Sequence, residues 1–309
     1  MAKKFEKEGK RMITLENDQL IVKIAEIGAE VKSVIDKTTE LEYIWQADAA
    51  YWGRSTPILF PIVGRLNNDT YYHKGQKFHL SQHGFARDLV FECDALSNTQ
   101  ASFVLKANAE TKTKYPFDFI LRVSYELENT ELRVLWQVKN PSENETLHFS
   151  IGGHPAFNLK MFDADVVEDY YLLFDQAFPM QTVVLADGCF TDNRNDLGTS
   201  DSLRLVDDLF VNDALIFADV PFEVVSLRNV RNSHGVEIDL SKFVYKNEKP
   251  LLGIWSPYKD GGIAPFVCLE PWFGHADFQN ISLEISDKIG IIKLEANELF
   301  RTEQSWRFF

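Results

Sequence analysis

The chain has 309 residues, of which 45% are hydrophobic and 25% charged, and its formal net charge at pH 7 is −14. This composition is ordinary for a globular protein, and the length is sufficient for one large domain or two ordinary ones. A strongly negative protein repels the phosphate backbone of nucleic acids and anionic membrane surfaces, so we expect neither as a partner.

The first eleven residues are charged and lead into no apolar run of signal-peptide length, so we predict a disordered leader over residues 1–11. No stretch of the sequence approaches the roughly 18 apolar residues of a membrane span. The cysteines Cys93, Cys189 and Cys268 are odd in number and lack CxxC spacing, which indicates neither a disulfide framework nor a zinc knuckle. We interpret Cys93 and Cys268 as small core residues and expect a reducing, cytoplasmic location.

From Met12 onward the dominant pattern is an alternation of apolar and polar residues with a period of two, which is typical of half-buried strands. A hairpin is predicted over residues 71–80, and a second over 121–138 with its turn at Glu128, Asn129 and Thr130. The other predicted strands cover residues 13–16, 20–26, 30–35, 42–45, 101–107, 146–151, 170–175, 214–218, 223–229, 235–240, 251–256, 265–270, 281–285 and 290–294.

Helical periodicity is scarce, and residues 202–210 are the best candidate for a short helix. Residues 185–201 are rich in turn formers and predict a mobile loop insertion. No Pro/Gly/Ser-rich linker and no repeat divides the chain. We therefore predict one all-β domain over residues 12–309, built as a large antiparallel β-sandwich with few short helices.

Three segments interrupt the strand pattern with residues that can carry chemistry: QHGFAR at 82–87, GGHPAFN at 152–158 and FVCLEPWFG at 266–274. In the third segment Glu270 ends an apolar run, and a carboxylate there loses hydration unless something pairs with it. A fixed hydrogen bond, a counter-ion or a proton-transfer role would explain it. The alternative is that Glu270 is the first exposed residue after the strand.

Each of two histidines lies in a glycine-containing segment. His154 follows two glycines and precedes Pro155, so the backbone holds it in a rigid frame, whereas His83 precedes Gly84 and fits either a cleft or a surface loop. Arg65, next to Gly64, offers several donors to hydroxyls or carboxylates, or is simply a surface arginine.

The set of two histidines, a glutamate and an arginine has two chemical interpretations. One is general acid–base catalysis on a hydroxylated ligand, and the other is a metal site of the kind found in a cupin-type sugar isomerase. Because His83 and His154 are far apart in the chain, each in its own glycine frame, the spacing argues against the metal site.

QHGFAR, GGHPAFN and LEPW, in this order and spacing, resemble the aldose 1-epimerase (galactose mutarotase) family, and in particular its LacX-like branch. The opening ITLEN…GAEVKSV and the stretch PIVGRL agree with this. The resemblance extends over essentially the whole chain from Met12.

The resemblance implies a β-supersandwich with an open sugar cleft and an enzyme that interconverts the α and β anomers of a free hexose such as galactose or glucose. It implies no metal and no organic cofactor. By the same resemblance, Glu270 is the general base, His154 is the general acid, and His83 orients the ring oxygen or shares the proton work. The expected substrate-binding residues are Arg65, Asn67, Arg87 and Asp213.

Two alternatives stay open at this level. Relatives that act on hexose 6-phosphates use extra basic residues, for which Arg87 and Arg54 are available here, and a non-catalytic carbohydrate-binding protein needs no acid–base pair.

Trp255, Trp272 and Phe60 are candidates to pack on the C–H face of a sugar. We expect a monomer or a homodimer.

Overall fold

The computed structural model describes residues 11–309 except 163, 219, 247, 249 and 280–283. The first twelve strands are Met12–Glu16 (β1), Leu20–Ala25 (β2), Glu30–Asp36 (β3), Ile58–Leu59 (β4), Thr70–His73 (β5), Gln76–His79 (β6), Glu92–Leu96 (β7), Gln100–Lys106 (β8), Ile120–Glu128 (β9), Glu131–Lys139 (β10), Leu147–Phe149 (β11) and Ile151–Gly153 (β12). The later strands are Ala156–Asn158 (β13), Tyr170–Ala186 (β14), Cys189–Arg204 (β15), Leu215–Phe217 (β16), Val224–Asn229 (β17), Gly235–Asp239 (β18), Leu251–Trp255 (β19), Tyr258–Lys259 (β20), Gly262–Ile263 (β21), Phe266–Phe273 (β22), Ile292–Leu294 (β23) and Leu299–Phe308 (β24). An α-helix spans Ala109–Lys114 (α1), and short 3-10 helices span Asn67–Asp69, Ala86–Asp88, Val167–Asp169 and Ile285–Asp287.

One large sheet organises the fold. Its strand order is β4-β12-β22-β19-β16-β14-β17-β18-β24-β10-β9-β8-β7, with β13 paired to β22 and β15 paired to β14. The remaining strands form a three-stranded sheet, β1-β2-β3, and the pairs β5-β6, β11-β23 and β20-β21. The pairings between these strands are antiparallel, which confirms the predicted all-β antiparallel sandwich. One apolar cluster includes both Ile13 and Phe308; the domain boundaries stay a prediction.

The hairpin of β9 and β10 shows how the alternation in the sequence becomes packing. Every second residue of both strands is buried, and Leu132 and Trp136 lie opposite Leu127 and Val123 in the register. Each such apolar side chain stabilises the fold by roughly 1.5–3 kcal/mol when it is buried. The two strands meet at a two-residue turn in which Asn129 has a positive φ of 53°.

The predicted loop at residues 185–201 is wrong, because this stretch forms the facing ends of the long strands β14 and β15. Asp187 and Gly188 make the two-residue turn, with φ angles of 53° and 76°. Asp-Gly is the residue pair that such a turn requires, and the polar residues around it concealed the signal. The strand β15 is mostly exposed and pairs with β14, with a single further bridge from Phe190 to Phe278 among the described residues, so it needs little apolar alternation.

The predicted helix at residues 202–210 is also wrong. Residues 202–204 end β15, and turns follow, although Leu205 and Phe210 are buried in the apolar cluster. The α-helix of the described residues is α1 instead, which is capped by Asn108, whose side chain accepts a hydrogen bond from the backbone N–H of Thr111.

Smaller differences concern the ends of the sheets. Residues 42–45 pair only through isolated bridges, and the predicted strand 281–285 falls mostly outside the described residues. Cys268 is buried as expected, whereas Cys93 is half-buried on β7, an edge strand of the large sheet. No helix in the described part of the chain is long and apolar enough to cross a membrane.

Candidate active site

Strand β22 carries the glutamate and is buried on both faces. Leu269 and Phe273 pack into the main apolar cluster, while Cys268, Glu270 and Trp272 alternate with them and lie on the opposite face. A strand buried on both faces has a nearly continuous apolar sequence, as this one does. The alternative that Glu270 is the first exposed residue after the strand is wrong, since it is only 2% exposed.

Two glycines on the neighbouring strands make room for the indole of Trp272. A Cβ on Gly152 of β12 would lie 2.4 Å from Cδ1 of Trp272, and a Cβ on Gly253 of β19 would lie 2.6 Å from the same ring. A side chain at either position would therefore displace the tryptophan. Gly152, the first glycine of the pair before His154, thus has a packing role, which the sequence did not indicate.

His154 lies in the short connection between β12 and β13, next to Glu270. Its backbone N–H donates to the carbonyl of Pro57, and the carbonyl of Pro155 accepts from the N–H of Leu269, so β22 holds this connection in place. The imidazole stacks on Trp52 with ring centroids 4.7 Å apart. Its Nε2 is 3.2 Å from Oε1 of Glu270, which is within reach of a proton transfer.

His83 is fixed by hydrogen bonds to one glycine segment. Its backbone N–H donates to the carbonyl of Gly64, and the N–H of Gly64 donates back to Nδ1 of the ring. Because Nδ1 accepts, the proton of a neutral ring is on Nε2, which is then a donor. The backbone of His83 has a φ of 67°, an uncommon conformation for this residue type, and its ring centroid is 5.7 Å from that of His154.

Burial favours the neutral form of all three groups. It raises the pKa of Glu270 well above its ordinary value, and the charge of Asp213 adds to this rise. It lowers the pKa of His154 to about 3, with a further contribution from Arg87, and it lowers the pKa of His83 as well. The neutral pair of His154 and Glu270 is one proton transfer away from an imidazolium and a carboxylate.

These side chains surround a cavity of about 250 Å³. Among the residues predicted from the sequence, its lining includes His83, Arg87, His154, Asp213 and Glu270. The cavity therefore brings these five residues together from four separate segments of the chain, with an acid–base pair on one wall.

Comparisons with known proteins agree with this geometry. A sequence model of the family described as aldose 1-epimerase matches residues 11–285. The chain belongs to the aldose 1-epimerase family.

The similar members of this family include curated and solved proteins of lactic acid bacteria. Plasmid-encoded protein LacX of Lactococcus lactis subsp. lactis is 34% identical over 275 residues, covering 85% of this chain and 87% of the relative. The X-ray structure of a galactose mutarotase related enzyme from Lactobacillus acidophilus has 37% identity and a TM-score of 0.89, with 97% of both chains covered. A galactose mutarotase-like protein from Lactobacillus casei has 31% identity and a TM-score of 0.88, covering 97% of this chain and 100% of the other. The resemblance seen in the sequence motifs is thus confirmed.

Two of the residues matched to this family's sugar-binding set lie outside the cavity lining. Arg65 is at its edge, where its Cδ is 3.3 Å from the position of a Cβ on Gly188, and its Nε pairs with Asp69 at 3.3 Å. The amide of Asn67 donates to the carbonyl of Phe278, so it serves the packing of this wall. Sugar binding by either residue stays a prediction.

Arg87 lies beside His83 and is the main cation in the lining. Its Nη2 donates to the carbonyl of Gln82, while its Nε has no hydrogen-bond partner among the described residues. Burial and the charge of Arg54 lower the pKa of the guanidinium to about 10, so it stays charged at neutral pH. A half-buried, incompletely paired cation favours a ligand with oxygen acceptors.

Sequence reasoning did not place several lining residues in the site. Trp52 and Gln82 were missed, although Gln82 adjoins His83 in the same motif. Trp255 and Trp272 line the cavity as considered, whereas Phe60 lies in the main core. The tip of the β14–β15 hairpin contributes Leu185, Gly188 and Phe190, which a loop interpretation could not locate.

The residues available for a metal also differ from those weighed in the sequence. In the described part of the chain, the ligand atoms of His154, Cys268 and Glu270 lie within 4.8 Å of one another, and all three residues are buried. Cys268 thus takes the place of His83 in the set considered from the sequence. That the family reaction needs no metal stays a prediction.

Proposed function

We propose that this protein is an aldose 1-epimerase that interconverts the α and β anomers of a free hexose such as glucose or galactose. The observation that carries the proposal is the contact of 3.2 Å between Nε2 of His154 and Oε1 of Glu270 on the wall of the cavity. Membership of the aldose 1-epimerase family supports it.

In the proposed reaction, Glu270 removes the proton from the C1 hydroxyl while His154 protonates the ring oxygen. The C1–O5 bond breaks and gives the open-chain aldehyde. Rotation about C1–C2 exposes the other face of the carbonyl, and the same two groups return both protons as the ring closes. The number of protons on the pair is the same before and after each turnover, so one pair serves both directions.

The separation of His154 and Glu270 supports this assignment despite the depressed pKa of the histidine. The roles require a carboxylate and an imidazolium, and the neutral pair reaches that state when one proton crosses 3.2 Å. A sugar hydroxyl beside the new carboxylate stabilises its charge by hydrogen bonding. A positioned acid or base contributes about 10²–10⁴-fold to a rate.

His83 has a different role in this proposal. Because Gly64 occupies its Nδ1, a neutral His83 has one free N–H, at Nε2, to donate to a sugar oxygen. Burial keeps the ring neutral by lowering its pKa. His83 therefore orients the sugar, and the half-buried rings of Trp52 and Trp255 offer apolar faces to it.

Polarimetry of freshly dissolved α-glucose and α-galactose tests the proposal. An epimerase accelerates the slow spontaneous change of optical rotation, whereas a carbohydrate-binding protein leaves it unchanged even when calorimetry shows that sugar binds. His154→Asn should lower kcat by at least about 100-fold, because it removes the acid but leaves a residue of similar polarity. Near-normal activity of a folded His154→Asn protein would refute the role of this histidine.

A hexose 6-phosphate is the second candidate substrate, because the partly unpaired guanidinium of Arg87 offers a site for a phosphate. Rates for glucose, galactose and their 6-phosphates, measured with wild type and Arg87→Met, separate the two. A phosphate role predicts that Arg87→Met raises KM for the 6-phosphates much more than for the free sugars.

A further inference from the structure

We propose that Cys268, together with His154 and Glu270, forms a binding site for a thiophilic divalent cation such as Zn²⁺, and that occupation of this site inhibits the enzyme. The binding stands independently of the proposed function; only the inhibition rests on it. The cation would capture the two groups that transfer protons.

The strand geometry places the thiol and the carboxylate together. Cys268 and Glu270 are two residues apart on β22, so their side chains project from the same face. The imidazole of His154 reaches this face from the connection after β12. Zinc binds sulfur at about 2.3 Å and nitrogen or oxygen at about 2.0–2.2 Å. Three ligand atoms within 4.8 Å of one another can therefore meet one ion through small side-chain rotations.

The charge of the site suits a buried dication. A thiolate and a carboxylate carry two negative charges, which balance the charge of the ion, and the imidazole binds in its neutral form. The proton of the Cys268 thiol passes to solvent as the sulfur–metal bond forms, and so does any proton on Glu270. A net neutral cluster avoids the large cost of burying an unpaired charge.

The kinds of ligand atom select the kind of metal. One thiolate, one imidazole and one carboxylate are a favourable set for Zn²⁺ and Co²⁺, whereas Mg²⁺ and Ca²⁺ prefer oxygen ligands alone. The cavity on the open side of Glu270 leaves a fourth position for water or a sugar oxygen. The stacked ring of Trp52 holds the imidazole of His154 in place.

Cys268 itself is separate from the proposed chemistry. It is fully buried, and its neighbours on this side are Trp45, Ala156, Ala264 and Phe266. It does not line the cavity among the residues described. Its replacement should therefore remove the metal site without removing the acid–base pair.

The sharpest test uses a Cys93→Ala/Cys189→Ala protein, in which Cys268 is the only cysteine of the chain. This protein is titrated with Co²⁺ and followed by absorbance, with equilibrium dialysis for stoichiometry. We expect one Co²⁺ per chain, a thiolate-to-cobalt charge-transfer band, and displacement of Co²⁺ by Zn²⁺. Absence of the band, or of stoichiometric binding, overturns the proposal.

Cys268→Ser and Cys268→Ala provide the second arm. We expect each to weaken Zn²⁺ binding by at least about 100-fold, the upper end of what changes around a metal ligand cost. Cys189→Ala is the matched control, since Cys189 is also buried but contacts Asn67 instead, and it should bind Zn²⁺ like wild type. Equal Zn²⁺ affinity in wild type and the Cys268 variants overturns the proposal.

The activity arm is measured on the same proteins. Zn²⁺ should inhibit mutarotation by wild type and Cys189→Ala, EDTA should reverse the inhibition, and Cys268→Ser should resist it. A protein that shows the cobalt–thiolate band but no mutarotation would retain the metal site and refute the proposed function. Equal inhibition of Cys268→Ser and wild type would refute a site that includes the thiol.

Discussion

The β9–β10 hairpin and strand β22 belong to the same sheet but use their side chains in opposite ways. In the hairpin, one face is buried and the other is half-exposed, and charged residues such as Arg133 and Glu126 occupy the second face. In β22 all eight residues are buried, and the ionisable residue Glu270 faces a cavity. A charge on the hairpin therefore remains hydrated, whereas a charge on β22 depends on its few neighbours.

This contrast shows which polar residues of a strand indicate a function. An exposed glutamate on a half-buried strand satisfies the pattern of that strand at almost no cost. A buried glutamate on a strand enclosed on both faces has a raised pKa and costs stability when it ionises. Its presence is explained by chemistry better than by folding.

Substitution of Glu270 should have the strongest effect on activity and tests this contrast directly. Glu270→Gln should lower kcat for mutarotation by about 10²–10⁴-fold, because the amide cannot accept the C1 hydroxyl proton. Glu126→Gln on the hairpin makes the same chemical change on a half-exposed face away from the cavity and should leave kcat unchanged. Stopped-flow polarimetry and thermal denaturation of both variants measure this. A Glu270→Gln protein with wild-type kcat would remove Glu270 from the mechanism.

The reverse pattern is expected for an apolar residue of the hairpin. Leu132 is fully buried opposite Leu127, so Leu132→Ala leaves a cavity and should lower the free energy of unfolding by about 2–5 kcal/mol. Its kcat should be unchanged below the unfolding transition, because the site lies on other strands. Urea denaturation gives the free energy of unfolding. A large loss of kcat in the folded protein would contradict the claim that the hairpin contributes to stability and not to activity.

The smallest effect concerns pH and a histidine beside the site. Burial, with a contribution from the charge of Lys288, lowers the pKa of His275 from 6.5 to about 4. The unfolded chain binds a proton at His275 below pH 6.5, whereas the folded chain binds it only below about pH 4. The contribution of neutral His275 to the free energy of unfolding is therefore complete above pH 6.5 and is lost as the pH falls through 4. At 1.36 kcal/mol per pKa unit, the full loss is on the order of 3 kcal/mol.

His275→Phe isolates this contribution. The imidazole stacks on Phe190 with centroids 4.5 Å apart, and a phenyl ring preserves that contact. Between pH 7 and pH 4, the free energy of unfolding should fall less in His275→Phe than in wild type. His83 and His154 contribute equally to the fall in both proteins. Identical pH profiles would show that His275 does not titrate as stated.

Most of the fold could be predicted from the sequence because most strands are half-buried. The alternation that includes Leu132 and Trp136 predicted their strand. The sequence motifs predicted Glu270, His154 and His83 as site residues, and the fold brings them together. Strands that are exposed on both faces could not be predicted from this alternation. Strand β15 is polar over most of its length because, apart from the buried Phe190, which bridges to Phe278, it is mostly exposed and pairs along one edge with β14.

The parts of the site that were missed depend on long-range packing. Trp52 reaches the cavity through its stack on His154, and no local pattern at residue 52 encodes that contact. The proximity of Cys268 to His154 likewise follows from the antiparallel pairing of β13 with β22, which joins segments far apart in the chain. Such neighbours become visible only when the sheet is assembled.

The β14–β15 hairpin reaches the cavity with its turn but joins the large sheet through β14 alone. Beyond Phe190, which bridges to Phe278, its outer strand is mostly exposed and can accept new side chains without a change of register in the rest of the protein. Side chains at the tip of this projecting arm can therefore change the shape of the cavity while strand β22, which carries Glu270, stays the same.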